Sequence, residues 1–299
     1  MYDTIIIGAG SAGLPASIYS ARYGMKTLVI SRDIGGLLAT TTEVENYPGY
    51  EKITGPELME KFENQAKKLG VEIRLEDVKE IKKSQKHFEI TTESSKYDAK
   101  TVILAVGLKP RRLDAKGDDR FYGKGVSYCA TCDGAFSRGK VVGIIGGGDS
   151  AVHGAHVISN FAEKVYLFVR RDEFRADPFN VKKITDDPKI EIRYNTQVEE
   201  IYGDKKVEGI RLKSGEDLPL KMLFVEIGHV APKEFLDKIG LKTDENGLVI
   251  IDKFCKTNIE GFFACGDITN IPLKQTIVAA GYGACAALSA FEYVKRLEE

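Results

Sequence analysis

The chain has 299 residues, 43% of them hydrophobic, and 43 Lys and Arg face 44 Asp and Glu for a net charge of −1. That length carries about two domains, and the near-neutral balance gives no electrostatic case for nucleic acid as the main partner. There is no run of ~18 continuous apolar residues to span a membrane, and five cysteines, an odd number, do not make the dense framework of a stapled secreted domain.

The chain opens Met1-Tyr2-Asp3 and enters an apolar run at 4–7, a strand rather than a charged leader with an apolar core. It reads as a cytoplasmic protein without a membrane segment. The strand leads into Gly8-Ala9-Gly10-Ser11-Ala12-Gly13, a helix follows over 14–23, and a second strand over 26–30. In this G-x-G-x-x-G pattern the first glycine permits the tight turn, the second lets the backbone approach a pyrophosphate, and the third allows close helix–sheet packing. The free N–H groups of the helix then stabilise the phosphate charge. The acid expected on the ribose at the end of the second strand is replaced by Ser31, so either Asp33 just beyond it reaches in, or backbone and water do that work.

The pattern repeats. An apolar strand at 140–145 opens into Gly146-Gly147-Gly148-Asp149-Ser150-Ala151, a helix runs to about 161, and a strand follows at 164–169. The strand ends on Val169-Arg170-Arg171, not on an acid, with Arg175 four residues on. Planar, permanently charged guanidiniums suit a 2′-phosphate, which points to NADPH over NADH. The bland alternative is a solvated basic turn. Two such βαβ units imply an α/β fold of two Rossmann-like halves, and two dinucleotide sites imply electron transfer between a nicotinamide and a flavin.

Segments 108–125 and 228–242 read as linkers, residues 247–267 as short strands, and 276–297 as a final helix that returns to the first domain. The expected domains are therefore 1–113 with 242–299, and an inserted 114–241. Between the linkers stands Cys129-Ala130-Thr131-Cys132-Asp133-Gly134. C-x-x-C spacing lets one thiolate attack and the other resolve a mixed disulfide, and Asp133 is placed to handle the protons. A zinc site needs about four ligands, and neither a second C-x-x-C nor a cluster among the four histidines supplies them; no metal is expected. His153 and His156, three apart on one helix, read as a packed or solvated pair. Cys255, Cys265 and Cys285 lie in apolar surroundings and read as core residues.

With these residues in view, the whole chain resembles the low-molecular-weight thioredoxin reductases. The C-A-T-C-D-G motif inside the second nucleotide unit is the most specific signal. Gly35-Gly36 begins a loop ending Glu45-Asn46-Tyr47-Pro48-Gly49, similar to the family's flavin-contacting loop, and 101–107, ending on Gly107, resembles its second flavin element. Phe263-Ala264-Cys265-Gly266-Asp267 resembles the C-terminal flavin motif, with Asp267 on the ribityl chain. Lys274-Gln275-Thr276 resembles the segment at the flavin's pyrimidine edge, where a helix begins.

The resemblance implies FAD bound by Gly8, Gly10, Ser11, Ala12, Gly13, Ser31, Gly36, Asn46, Gly107, Gly266, Asp267, Lys274, Gln275 and Thr276. It implies NADPH held by Gly146, Gly148, Asp149, Ser150, Ala151, Arg170, Arg171 and Arg175. Catalysis would rest on Cys129, Cys132 and Asp133, with Cys132 facing the flavin, a thioredoxin-like protein as partner, and a homodimer as the assembly. His153 stands where the family commonly has Glu, Val169 where it has His, and Lys274 and Thr276 where it has Arg and Ala. These departures bear on the electron donor: His153 and Val169 motivate, and Arg170 and Arg171 oppose, a rival flavoprotein fed by reduced ferredoxin or free flavin. Two further rivals are a dithiol oxidase passing electrons to oxygen and a redox sensor without catalysis, the last opposed by the C-A-T-C-D motif.

Overall fold

A computed structural model of the chain describes residues 1–41, 44–85 and 87–299. It forms two compact units: Met1–Lys109 with Val230–Glu299, and Pro110–His229.

The first unit starts with β1 (Tyr2–Ala9), α1 (Gly13–Arg22) and β2 (Thr27–Ile34). α2 (Gly55–Lys68) follows, its start fixed by a capping box in which Thr54 accepts from the Glu57 N–H and Glu57 reaches back to the Thr54 N–H. β3 (Glu72–Leu75) is parallel to β2, and β4 (Val78–Lys83), β5 (Phe88–Thr92) and β6 (Lys96–Leu104) form a meander. β6 pairs in parallel with β1, so the sheet order is β3-β2-β1-β6-β5-β4.

β1 is buried on both faces, which is why it reads as an unbroken apolar run rather than an alternation. Ile6 faces one core with Val29 and Ile103, under α1. Ile5 and Ile7 face a second core with Leu28, Ile30, Val102 and Leu104. Each such side chain contributes roughly 1.5–3 kcal/mol by leaving water.

The chain then forms β7 (Lys109–Pro110), α3 (Asp118–Phe121), β8 (Val126–Ser127) and the one-turn α4 (Ala130–Asp133). β9 (Val141–Ile145), α5 (Asp149–Ser159), β10 (Lys164–Phe168), α6 (Pro178–Thr185) and β11 (Ile190–Arg193) make the second βαβ run. β12 (Val198–Tyr202), β13 (Gly209–Leu212) and β14 (Asp217–Pro219) form a separate antiparallel sheet, and β15 (Met222–Val225) returns beside β9. The main sheet of this unit is all parallel, in the order β11-β10-β9-β15-β8. The strand order reverses beside β9, and ligands of such sheets bind outside the carboxyl ends at that point.

Last come β16 (His229–Val230), paired with β7, then α7 (Lys233–Ile239), β17 (Phe262–Ala264), which pairs with residues 102–104 of β6 beyond the stretch paired with β5, and α8 (Thr276–Glu298). The two segments expected to be linkers are structured. Phe121 and Val126 are buried in the core of the second unit, with Leu113 and Ala115 against it. Residues 233–239 are helical, and Leu236 and Leu241 are buried with Ile5 and Leu104 in the first unit. The second passage therefore lies at 229/230 rather than at 241/242. Residues 247–261 hold isolated bridges, not strands. Charge and a proline give the sequence there the character of a linker, whereas two buried leucines decide the packing.

α8 is the one described helix long and apolar enough to cross a membrane by length and composition. Its apolarity comes largely from small residues that pack. Ala279, Gly283, Ala286, Ala287 and Ala290 are buried in the α1 core, and a Cβ on Gly283 would lie 2.3 Å from the Ala12 carbonyl oxygen. At Gly281, two residues away, a Cβ meets nothing within 4 Å. The same change should therefore have opposite effects at the two positions. Gly283→Ala should destabilise by about 1–3 kcal/mol through overpacking, and Gly281→Ala should stabilise by roughly 0.5–1 kcal/mol through helix propensity. Urea unfolding midpoints of the two variants check this.

Candidate redox and dinucleotide site

In the first fingerprint the three glycines meet three different surroundings. Gly8 has φ +109°, and a Cβ there would lie 2.3 Å from the Ala105 carbonyl oxygen. At Gly13 a Cβ would lie 1.8 Å from the Gly8 carbonyl oxygen, so α1 starts against the end of β1 with no room for a side chain. At Gly10 the nearest atom is 3.8 Å away. The outer glycines are walled in by backbone, and the middle one faces space that a pyrophosphate can occupy. α1 has no side-chain cap, which leaves its first N–H groups for an anion.

Elements distant in sequence converge on this turn. A Cβ on Gly266 would lie 2.8 Å from Ala12 Cβ. Asn46 donates to Gln275 Oε1 at 3.0 Å across 229 residues, and Gln275 precedes the uncapped first turn of α8 at Thr276. Lys274 donates to the Thr269 carbonyl, and burial lowers its pKa. Ser31 lies inside β2, paired with Leu75 of β3. Asp33 Oδ1 accepts the Gly36 N–H at 3.1 Å, which engages that carboxylate with the 35–36 turn. Gly36 and Gly107 both take positive φ, +54° and +62°.

The second fingerprint repeats the plan. Gly146 is walled in, with Ala151 Cβ 2.6 Å and the Glu226 carbonyl oxygen 2.3 Å from a hypothetical Cβ, and Gly148 has nothing within 4 Å. Both loops thus fit a dinucleotide at the middle glycine. Asp149 braces the approach to this loop: its Oδ1 accepts the Asp177 N–H at 2.8 Å, and the Arg175 N–H donates to the Gly147 carbonyl at 2.7 Å. The segment carrying Arg175 is thereby tied to the loop. Arg170, Arg171 and Arg175 are exposed, and among the described residues none has a carboxylate partner. Ser150 is exposed in the first turn of α5. Val169 is 2% exposed and fills the space beside Gly147.

β8 runs straight into the redox turn. Cys129 and Cys132 form a disulfide, with Cα atoms 5.3 Å apart. Cys129 is half-buried and Cys132 exposed. Cys129 caps α4, its Sγ accepting the Cys132 N–H at 3.2 Å. Ser127 Oγ is 2.7 Å from Asp133 Oδ2 and accepts the Cys129 N–H at 3.1 Å, so the acid is held to the backbone of the attacking pair.

Behind the turn, the Tyr128 hydroxyl donates to Asp118 at 2.8 Å and accepts the Leu113 N–H at 2.7 Å. Burial, with the Asp118 carboxylate beside it, pushes this phenol up to about 12. Arg112 lies over the Tyr122 and Tyr128 rings, 4.7 and 4.6 Å from their centroids, and pairs with Asp118 at 2.9 Å.

One residue of this site escaped the sequence reading. Glu226 follows β15, and its Oε1 accepts the Ala130 N–H at 2.9 Å. Burial raises its pKa to about 7, against the pull of the Ala130 bond. Nothing in its local sequence marks it, because it is brought to the redox turn by strand order alone. Cys255 and Cys265 are buried, and burial pushes both thiols up, Cys255 to about 12. Cys285 is exposed, a correction to its reading as a core residue: it lies on the face of α8 away from the packed alanines. Among the described residues no group of three or more His, Cys, Asp or Glu is placed to hold a metal ion.

The carboxyl ends of β8, β9 and β15 therefore bring together a disulfide, a dinucleotide loop and a buried acid within one unit. Comparison with known proteins agrees with that arrangement. The chain is 39% identical to a thioredoxin reductase of Listeria monocytogenes over 100% of its length and 96% of the relative's. Among solved structures it matches Lactococcus lactis thioredoxin reductase with a TM-score of 0.95 and 39% identity, covering 99% of this chain and 100% of that one. The thioredoxin reductase of T. acidophilum matches with a TM-score of 0.92 and 35% identity, covering 97% and 98%. Residues 2–283 match the family model of the pyridine nucleotide-disulphide oxidoreductases, and the chain belongs to that family.

Proposed function

We propose that this protein is a thioredoxin-disulfide reductase that passes electrons from NADPH, through FAD and the Cys129–Cys132 disulfide, to a thioredoxin-like protein. The observation that carries the reading is the disulfide itself, its exposed Cys132 set at the same strand ends as the second dinucleotide loop. Family membership supports a flavin and a pyridine nucleotide as the cofactors. The choice of FAD rests on the open middle glycine of the first loop, with Gly266 packed against Ala12 of the same turn, and on the resemblance of the segments carrying Asn46, Asp267 and Gln275 to flavin-contacting elements. The choice of NADPH rests on Arg170, Arg171 and Arg175, which have no carboxylate partner of their own among the described residues. A homodimer in the cytoplasm belongs to the same proposal.

The bound flavin and nicotinamide together supply the electron pair that opens the disulfide. The protein's own residues do the rest. Gly10 and Gly148 admit the phosphates, and the arginines select the 2′-phosphate. Once the pair is reduced, one thiolate attacks the partner's disulfide and the other resolves the mixed disulfide, which re-forms the Cys129–Cys132 bond and releases the partner as a dithiol. Asp133, held by Ser127, exchanges the protons this requires.

A second reading keeps the fold and changes the donor to reduced ferredoxin or reduced flavin. It is favoured by Val169, whose buried side chain offers a nucleotide no hydrogen bond, and by His153 on α5. Anaerobic mixing of the yellow protein with NADPH, and separately with NADH, decides between the two. NADPH alone should bleach the flavin band rapidly; bleaching by dithionite but by neither nucleotide would sink the NADPH reading. Arg170→Ala and Arg171→Ala should each raise KM for NADPH about tenfold or more, the loss of one charge-assisted contact, with NADH kinetics unchanged. Cys132→Ser should abolish thioredoxin reduction, read as NADPH consumption coupled to insulin turbidity, while leaving the yellow colour intact.

A further inference from the structure

A buried carboxyl group normally finds a cation or several hydrogen bonds, because desolvating its charge is costly. Glu226 has neither. Its one hydrogen bond is from the Ala130 N–H, and no cation pairs with it among the described residues. Burial alone holds its pKa near 7, with only the Ala130 bond opposing. The position is also specific. Ala130 is the residue after Cys129 and the first of α4, the turn that closes the redox ring.

Amides at the start of a turn stabilise a thiolate on the capping cysteine and lower its pKa. Cys129 is that cap, and its Sγ already accepts the Cys132 N–H. Glu226 occupies the neighbouring amide and sets a carboxylate at the positive end of the turn. Both effects disfavour the thiolate. A dithiol whose thiolate is disfavoured is less stable relative to its disulfide, so the pair becomes a stronger reductant; couples with a strongly stabilised thiolate behave as oxidants.

We propose that Glu226 is a positioning residue that orients the redox turn through Ala130 and lowers the reduction potential of the Cys129–Cys132 pair. The inference rests on those two cysteines being the redox-active pair. It assigns Glu226 a task different from that of Asp133, which is tied to Ser127.

The test is an equilibrium one, on the flavin-loaded protein in dithiothreitol buffers of graded reduced-to-oxidised ratio at pH 8. One dithiothreitol closes its ring and gives up two electrons and two protons as the Cys129–Cys132 bond opens to two thiols. Alkylation and peptide mapping count the pair apart from Cys255, Cys265 and Cys285. Glu226→Gln keeps the acceptor and removes the charge. It should shift the equilibrium toward the dithiol about tenfold, or about 30 mV. In a Cys132→Ser background it should lower the Cys129 thiol pKa by about one pH unit, read from alkylation rate against pH. Glu226→Ala should shift the equilibrium in the same direction and also speed hydrogen exchange at the Ala130 amide. A Glu226→Gln protein with the wild-type equilibrium and thiol pKa would overturn the proposal, whatever Glu226→Ala does. A wild-type pair that dithiothreitol cannot open at any ratio would overturn the redox reading, and this inference with it.

Discussion

Close packing that leaves a glycine no room for a side chain is the constraint on which both halves of the molecule depend. Gly13 meets the Gly8 carbonyl, and Ala151 meets Gly146, at distances that exclude anything larger. Each contact seats the start of a helix against the end of a strand and aims its free N–H groups at the strand's carboxyl edge. The middle glycine is then left facing open space. A side chain at the outer positions would push the helix off the sheet. One at the middle position would fill the cradle and leave the fold largely intact. The two kinds of glycine are thus distinguished by what surrounds them, although the pattern G-x-G treats them alike.

Much of this was legible in the chain. The apolar runs at 4–7 and 140–145 announce strands buried on both faces, and the glycine spacing announces the turns, because both are local effects of burial and backbone geometry. C-A-T-C-D-G is equally local. What could not be read depends on strands meeting in space. Glu226 lies 96 residues from Ala130 in sequence and reaches it because β15 lies between β9 and β8. Asp149, expected as a nucleotide ligand, is engaged by the Asp177 N–H, a contact decided by the path of the chain after β10. Residues 228–242 carry the charge and proline of a linker, yet Leu236 and Leu241 pin them to a core. Cys285 has apolar neighbours in sequence and solvent on its own face of α8, a distinction that composition cannot make but helical phase can.

The redox turn is held by hydrogen bonds to two acceptors outside it. Ser127 couples Asp133 to the Cys129 N–H, and Glu226 takes the next N–H along. A four-residue helix has too few internal bonds to be stable alone, so these outside partners define its shape. The same short length leaves Cys132 exposed while Cys129 is half-buried. A rigid backbone with unequal access to its two sulfurs is what a disulfide needs if its two ends are to meet different partners.

The Arg112 stack has a mechanical corollary. Its guanidinium is clasped by two aromatic rings and a buried aspartate, and the next residue, Leu113, is bonded to Tyr128, immediately before Cys129. Residues 112–113 and 128 are therefore held against one another. The clasp ties the chain where it enters this unit to the residue just before the first sulfur. A staple of cation, phenol and carboxylate thus anchors the base of the redox turn.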